Sequence, residues 1–217
     1  MNVAPSKENI LKRVRNALSQ PVPLPFPQAE GKQSVFVKPE GDLDILFAES
    51  FSEQQGRFVF CQDHEEFARN LGDLAVANGW KSVYCRELQV LHSLAPFQVP
   101  GLNASGDIAD ADAGMTSCEA LVARTGSVVL SAAQPSGRTT GIFPPAHLIV
   151  AYTDQLVFDV RDAFQLLKEK YGDDLPSMIS FQSGPSRTSD IEKTSVVGVH
   201  GPGEVYVFLI DREREQA

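Results

Sequence analysis

Short apolar runs alternate with longer amphipathic segments through most of the chain, and this order most limits what the chain can fold into. Residues 57–61 (RFVFC) and 81–85 (KSVYC) are typical of buried strands, and residues 63–78 between them carry apolar side chains at helical spacing. Strand–helix–strand units of this length predict a mostly parallel sheet with right-handed crossovers. The sequence therefore predicts an α/β protein.

The same patterns predict the other elements of the body. Asp63 is the predicted N-cap of its helix, and Gly79 and Gly172 are the predicted ends of two helices. Thr125-Gly126 separates two apolar runs, which predicts either two strands joined by a tight turn or one bulged strand. A segment rich in Gly, Ala and Asp, residues 100–115, is predicted to be a long loop. Further helices are predicted over residues 41–55 and 156–171, and further strands over residues 119–124, 127–133, 146–152, 177–182 and 205–211.

The N-terminal segment differs from this body. Residues 6–20 have the apolar spacing of an amphipathic helix, and the alternating prolines of residues 21–27 favour a stiff, extended connector. The domain prediction is therefore an N-terminal helical arm with a Pro-rich connector over residues 1–28, followed by an α/β domain over residues 29–217. Two interpretations stay open: an arm that docks on a partner or on a second copy of the chain, or a helix that packs on its own domain.

Composition disfavours several classes of function. The net charge of −9 and the pI near 4.9 disfavour nucleic acid and anionic membranes as partners, because both are bound by clustered Lys and Arg. No apolar run approaches the roughly eighteen residues of a membrane span, and the first residues do not resemble a signal peptide. Cys61, Cys85 and Cys118 lie far apart, which disfavours zinc or iron–sulfur ligation and indicates reduced thiols. We therefore expect a cytoplasmic chain without a metal of its own.

Two glycine-containing segments near the C-terminus are the candidate site. Residues 183–192 (SGPSRTSDIE) follow a predicted strand, which in an open α/β sheet places them at the carboxyl edge where ligands bind. Part of this segment is explained as a helix start, since Ser189 and Glu192 form a capping-box pattern. The carboxylates of Asp190 and Glu192 suit the first turn of a helix, and they also disfavour a phosphate ligand there. Arg187 is not needed for a helix start, and its guanidinium could bind a carboxylate ligand or fix Asp190 or Glu192.

Other candidate residues each have a structural alternative. His200 lies in residues 196–204 (VVGVHGPGE), where it could act as a general base or as a structural hydrogen-bonding group. Arg138, in a loop that contains Gly, could bind an anion or stay an exposed arginine without a specific role. His147, at the start of a predicted buried strand, is the weaker histidine candidate. Dinucleotide-binding and phosphate-loop motifs are missing, and Ser136-Gly137 lacks the frame of a nucleophile elbow.

Together these residues resemble a known family. The run SGPSRTSDIE followed by VVGVHGPGEVYVFLI is similar to the closing signature of the lactate-utilisation (LUD-domain) family, G-P-S-[RK]-T-A-D-I-E and then G-x-H-G-P. Residues 123–130 (ARTGSVVL) resemble the family's A-E-T-G-T turn, and residues 144–152 (PPAHLIVAY) resemble its L-P-x-x-H-I strand. The matches occur in the family's order over residues 110–210. Arg124 stands where the family commonly has Glu, which reverses the charge beside the expected ligand loop.

The resemblance implies a fold and a role. The family's fold is similar to that of ribose-phosphate isomerase, glucosamine-phosphate isomerase and CoA transferases, a Rossmann-like, mostly parallel sheet flanked by helices. The chain length, the N-terminal helix and the absence of cysteine clusters resemble the small subunit type of the family. The resemblance therefore implies an accessory subunit of a cytoplasmic complex that oxidises L-lactate to pyruvate, with iron–sulfur clusters in the partner subunits and no cofactor in this chain.

A small-anion pocket, for a carboxylate or a phosphate, follows from the same resemblance. Arg187 would bind a carboxylate, and the glycines would allow close approach of the backbone. The residues expected to line the pocket are Thr125, Gly126, Arg138, Gly184, Ser186, Arg187, Thr188, Asp190, Glu192, His200 and Gly201.

Two other functions stay open. A stand-alone enzyme would resemble the sugar-phosphate isomerases, the CoA transferases or a folate cyclo-ligase, with Asp190 or Glu192 as general base and Arg187 or Arg138 binding the substrate anion. A binding or regulatory module would use the pocket without catalysis.

Overall fold

The computed structural model describes residues 5–19, 36–37, 41–104, 106–188 and 196–212. The chain divides into two units, Met1–Pro39 and Glu40–Ala217. In the first unit, helix α1 spans Pro5–Ser19, in agreement with the predicted N-terminal helix. The predicted Pro-rich connector lies outside the described residues.

The second unit contains the α/β body. Helices α2 to α5 span Leu43–Glu53, His64–Asn78, Leu88–Leu94 and Val160–Tyr171. Strands β1 to β12 span, in chain order, Arg57–Cys61, Val83–Cys85, Leu102–Asn103, Ala113–Ser117, Ala120–Val122, Ser127–Ser131, Ala146–Tyr152, Leu156–Val157, Ile179–Gln182, Arg187–Thr188, Val196–Val197 and Glu204–Ile210. None of the described helices has both the length and the apolar composition needed to cross a membrane.

Six of the strands form one parallel sheet in the order β1-β12-β7-β4-β2-β3. The side chains of its inner strand β7 alternate between two apolar clusters: Leu148 and Val150 point to one face, and Ile149 and Ala151 point to the other. Both faces are covered, which explains why this strand is a continuous apolar run in the sequence. The predicted α/β class, with a mostly parallel sheet flanked by helices, is confirmed.

A second sheet packs against the first. Strands β8, β5, β6 and β9 form it in that order, with antiparallel pairing of β5 with β6 and of β6 with β9. A short 3-10 turn, Ala123–Thr125, and Gly126 in the left-handed region (φ 56°) join β5 to β6. The segment therefore forms two strands joined by a tight turn, and the alternative of one bulged strand is wrong. Strands β10 and β11 pair only with each other among the described strands.

Three apolar clusters hold these layers together. Phe67 and Leu71 of α3 cover one face of the parallel sheet, and Leu167 of α5 covers the outer face of the second sheet. Phe47 and Phe51 of α2 belong to the cluster that both sheets share, where they are fully buried with ring centroids 5.4 Å apart. Burying a phenyl side chain contributes about 1.5–3 kcal/mol, so this shared cluster stabilises the packing of one sheet on the other.

Two predictions of secondary structure are wrong. The end of the predicted loop is strand β4, in which Gly114 is required because a Cβ there would overlap the carbonyl oxygen of Thr140. The small side chains that suggested a loop are therefore a packing requirement of an inner strand. The helix predicted from residue 156 begins instead at Val160, after β8, with Asp159 as its N-cap.

Candidate functional site

The two glycine-containing segments near the C-terminus lie against each other. The Ser186 amide donates to the Pro202 carbonyl oxygen (2.9 Å), and the Gly198 amide donates to the Ser186 carbonyl oxygen (2.9 Å). A Cβ at Gly201 would lie 3.0 Å from the Ser186 Cβ, so glycine permits this close approach. The convergence on which the predicted pocket depends is therefore present in the structure.

These segments line one side of a cavity of about 310 Å³. Strands β4, β6 and β9 supply other walls, which include the apolar side chains of Leu130 and Met178 and the serines Ser180 and Ser183. Of the residues predicted to line a pocket, the cavity brings together Arg138, Gly184, Ser186, His200 and Gly201.

The cavity does not lie at the carboxyl edge of the parallel sheet. Pro202 and Gly141, which line it, precede the first residues of β12 and β7. Strand β9, which precedes the candidate segment, belongs to the mixed sheet, so the rule for the carboxyl ends of parallel strands does not apply to it. The predicted placement of this segment at the carboxyl edge is therefore wrong, although its described part does border a cavity.

Arg187 does not line this cavity. Its exposed guanidinium donates from Nη2 to the Gln54 carbonyl oxygen (2.6 Å), just beyond the end of α2. Gly184 (φ 123°) contacts the same carbonyl group, which a Cβ at Gly184 would overlap. The recess is therefore not built around the Arg187 guanidinium, which instead fastens the segment to the end of α2.

Thr125 and Gly126 also lie away from the cavity. A Cβ at Gly126 would overlap the Phe51 amide nitrogen, so this glycine lets the β5–β6 turn pack against α2. The Thr125 hydroxyl is 2.8 Å from the Ser127 hydroxyl, which is 2.7 Å from the Ser183 hydroxyl. Because Ser183 lines the cavity, Thr125 reaches it only through this chain of hydroxyl groups.

The remaining predicted residues are described only in part. Thr188 belongs to β10, and its side chain is outside the described structure. Asp190 and Glu192, together with the predicted capping box, lie outside the described residues. Their proposed roles stay predictions.

Arg124, which replaces the family's common Glu, has a structural partner. Its Nε donates to Asp159 Oδ2 (2.7 Å), and its amide donates to the Phe158 carbonyl oxygen (3.1 Å). Burial alone would raise the pKa of Asp159, but the hydrogen bond from the Arg124 guanidinium and backbone amides lower it. The reversed charge therefore joins the β5–β6 turn to the N-cap of α5, and Arg124 is not among the residues that line the cavity.

The charge of the cavity favours an anion. Arg138 and His200 are the ionisable residues among its described lining residues, and no carboxylate is among them. Both side chains are exposed, and the Arg138 Nη2 donates to the Ser177 hydroxyl (2.6 Å), which orients the guanidinium. A guanidinium with neighbouring hydroxyl groups is well suited to a small carboxylate.

The wall of this cavity contains a polar network that is not predicted from the sequence. The Thr116 hydroxyl lies 2.9 Å from His147 Nε2, and Gln182 Oε1 lies 2.7 Å from His147 Nδ1. Thr116 and Gln182 line the cavity, while His147 is fully buried behind them. Burial lowers the pKa of His147 to about 4, against the opposing hydrogen bond to Gln182, so the imidazole is neutral at pH 7. The signal in the sequence was a histidine in an apolar strand, but its partners could not be identified because both are far away in the chain.

A second cavity, of about 690 Å³, does lie at the carboxyl ends of β2 and β4. Its buried Glu87 accepts hydrogen bonds from the Ser117 amide (3.0 Å), the Ser117 hydroxyl (2.5 Å) and the Ser136 hydroxyl. These bonds join the ends of two parallel strands to the loop that borders the first cavity.

Glu119, also buried at this edge, is held by three side chains. It accepts from Ser131 (2.5 Å), Tyr171 (2.8 Å) and Lys170 (2.8 Å). Burial alone would raise the pKa of Glu119, but the hydrogen bonds from Lys170, Ser131 and Tyr171 lower it. Both carboxylates are fully engaged by the protein, so they serve the structure of this edge.

The thiols are free and buried. Burial raises the pKa of Cys61 and of Cys85 to about 11, and it raises the pKa of Cys118 further. Such thiols are poor nucleophiles and poor metal ligands, because both roles need the thiolate. Within the described residues, no group of three or more His, Cys, Asp or Glu is placed to hold a metal ion.

Comparison with known proteins places the chain in a family. The model of the LUD domain matches residues 46–210. Lactate utilization protein C of Bacillus licheniformis is 35% identical over 105 residues, which cover 47% of this chain and 44% of that protein. Lactate utilization protein C of Halalkalibacterium halodurans is 37% identical over 105 residues, which cover 47% of this chain and 46% of that protein. The chain thus spans about half the length of the curated relatives it matches.

A solved structure shares the fold. The crystal structure of a DUF162 family protein from Deinococcus radiodurans superposes with a TM-score of 0.51 at 19% identity, over 77% of this chain and 96% of that chain. At this identity the likeness shows the fold alone. Because the LUD-domain model covers most of the chain, we conclude that the chain belongs to the LUD-domain family.

Proposed function

We propose that this chain serves lactate utilisation, as an accessory subunit of a cytoplasmic iron–sulfur complex that oxidises L-lactate to pyruvate. In this role it binds a small carboxylate in the cavity of about 310 Å³. The similarity to proteins named lactate utilization protein C supports the process. The observation that carries the ligand class is the presence of Arg138 and His200 in a cavity whose described lining residues include no carboxylate.

The dimensions and the lining of the cavity suit a compact acid. Its volume is at the lower end of the range for small-molecule sites, roughly 300–1,000 Å³. Arg138 offers a charged donor for the carboxylate, and Leu130 and Met178 offer apolar surface for a methyl group. A three-carbon acid such as lactate or pyruvate combines these two features.

The electron transfer is assigned to partner subunits. Oxidation of lactate needs a redox centre, and the buried, widely separated cysteines of this chain are poor cluster ligands. Ile142 lines the cavity, and it and the next residue, Phe143, have 52% and 66% of their surface exposed. A partner subunit that covers these side chains would also close the ligand off from water.

The ligand assignment is tested by titration calorimetry with L-lactate and pyruvate. We expect binding by the wild-type chain and at least about tenfold weaker binding by Arg138→Gln, because a charge-assisted hydrogen bond to the ligand is lost. Arg69→Gln, which removes an exposed arginine on α3, is the control and should bind as the wild type does. If neither L-lactate nor pyruvate binds, or if Arg138→Gln binds them as tightly as the wild type does, the proposed ligand is contradicted.

The partner assignment is tested by affinity purification of the full chain from its native host. We expect iron–sulfur proteins to be recovered with the chain, and a deletion strain should fail to grow on L-lactate. Recovery of the chain free of iron–sulfur proteins, or normal growth of the deletion strain, would remove this part of the proposal.

A further inference from the structure

The wall of the small cavity contains a polar network in which the donor and the acceptor of each hydrogen bond can be assigned. The two ring nitrogens of His147 each have one side-chain partner, the Thr116 hydroxyl at Nε2 and the Gln182 amide oxygen at Nδ1. An amide oxygen can only accept, so Nδ1 carries the proton. The imidazole is neutral, so Nε2 is an acceptor and the Thr116 hydroxyl donates to it.

This direction determines what the wall offers to a ligand. The Thr116 hydroxyl donates its proton in the hydrogen bond to His147, so Thr116 Oγ1 can only accept a hydrogen bond from a ligand. Gln182 Nε2 makes no hydrogen bond within the described structure. Since no buried side-chain nitrogen or oxygen atom of the described residues lacks a partner, this amide group is accessible, and Gln182 lines the cavity. The wall therefore presents a donor from Gln182 and an acceptor from Thr116.

The network is also held in place. His147 is fully buried, and a Cβ at Gly141 would lie 2.7 Å from its Cε1, so the backbone of the cavity loop packs directly on the ring. Thr116 has 4% of its surface exposed, which limits alternative rotamers. The donor and the acceptor are therefore preorganised before any ligand binds.

We propose that Thr116 and Gln182, oriented by His147, select a 2-hydroxy carboxylate over the corresponding 2-oxo acid. The Gln182 amide donates to the ligand carboxylate, and the 2-hydroxyl group of the ligand donates to Thr116 Oγ1. A 2-oxo group has no proton to donate and meets the acceptor oxygen of Thr116 without a hydrogen bond, which a desolvated site disfavours. Thr116 and Gln182 determine specificity, and His147 is a positioning residue. This inference rests on the proposed function, because it concerns the same cavity.

The wild-type chain gives the first test. Calorimetry compares L-lactate, pyruvate and 2-methoxypropionate, which keeps the ether oxygen but has no hydroxyl proton. We expect L-lactate to bind at least about tenfold more tightly than the other two. Equal affinities overturn the inference and leave carboxylate binding intact. Failure of all three to bind overturns the proposed function itself.

Variants give the second test. Thr116→Val should weaken L-lactate binding about tenfold and leave pyruvate binding nearly unchanged, and Thr116→Ser should keep the preference of the wild type. Thr140→Val is the matched control, since Thr140 is equally buried but does not line the cavity, and its hydroxyl donates to the Ser136 carbonyl oxygen (2.9 Å). A Thr116→Val chain that keeps the preference for L-lactate contradicts the inference.

Nuclear magnetic resonance of the imidazole gives a test that does not depend on a variant. In the ¹⁵N-labelled wild-type chain at pH 7, His147 should show a protonated Nδ1 and an unprotonated Nε2. A protonated Nε2 would make Thr116 an acceptor from the ring and free its proton, which would overturn the assigned direction.

Discussion

His147 combines full burial with two neutral hydrogen-bond partners, and this combination makes it sensitive to protonation. A proton on Nε2 would displace the Thr116 hydroxyl as donor and place a charge on a side chain that is fully buried. Burial is the larger cause of the lowered pKa, and the bond to Gln182 opposes it. The stability of the fold should therefore carry a signature of this one residue.

We predict that the free energy of unfolding falls as the pH decreases from about 6.5 to about 4. In this interval His147 is protonated in the unfolded chain but not in the folded chain. Its contribution to the free energy of unfolding is therefore fully present above the pKa of the unfolded chain, and it is lost as the pH falls towards the pKa of about 4 in the folded chain. The loss from this group is on the order of 3 kcal/mol. Urea unfolding at pH 7 and at pH 4.5 measures it.

His147→Gln should flatten this dependence relative to the wild type. His92→Gln, at an exposed position on α4, is the control variant. If the difference between the two pH values is the same in His147→Gln as in the wild type, His147 is not the source of the dependence.

At the residue scale, the sequence indicates the chemistry of a side chain better than its position. Arg138 and His200 are both predicted site residues, and the cavity brings them together, but the guanidinium of the third, Arg187, binds the Gln54 carbonyl oxygen instead. An arginine in a glycine-containing segment has many partners within reach, and the one it contacts depends on how α2 packs. That packing depends on contacts that are distant in sequence.

At the element scale, the sequence predicts the ends of a helix correctly where neighbouring residues in the chain determine them. The Asp63 side chain accepts from the Glu66 amide (2.8 Å) and Gly79 (φ 67°) ends α3, as their residue types predict. Strand β4 was missed because Gly114 is selected by the neighbouring Thr140 backbone and not by strand propensity. Tertiary packing overrode composition there.

Two glycines in the left-handed region allow the conformational cost of a substitution by alanine to be measured separately from its steric cost. We predict that Gly79→Ala lowers the free energy of unfolding by about 1 kcal/mol, because nothing lies within 4 Å of its Cβ position and only the positive φ opposes the substitution. Gly126→Ala should cost about 3 kcal/mol or more, because its Cβ would also overlap the backbone of α2 at Phe51. Thermal and urea unfolding of both variants measure the difference, and similar costs would contradict the close packing of the turn on α2.

At the scale of the whole molecule, the sequence predicted the α/β class but not the second sheet. Strands β5 and β6 are mainly apolar, as β7 is, and nothing in their composition tells which sheet they join. The assignment depends on the pairing of distant segments, such as Leu130 of β6 with Ser180 of β9. The position of the cavity depends on this second sheet, which explains the wrong placement at the carboxyl edge.

We predict that residues 40–217 fold without residues 1–39. Among the described residues, every buried apolar side chain lies at or after Phe47, and the LUD-domain match begins at residue 46. The shortened chain should unfold in one cooperative transition, within a few degrees of the full chain, since the two sheets share a core. Circular dichroism during heating measures this, and a loss of cooperativity would show that residues 1–39 are needed for the fold.

The position of β12 has a consequence for biosynthesis. This strand, the last of the twelve in the described part of the chain, lies between β1 and β7. When the ribosome has made β1 and β7, the strand that will pair with both of them has not yet been synthesised. Their apolar side chains therefore stay exposed and can contact other molecules. Pairings between distant segments form slowly, and such waiting intermediates are prone to aggregate. We therefore expect nascent chains to depend on protection by chaperones until residues 204–210 have left the exit tunnel.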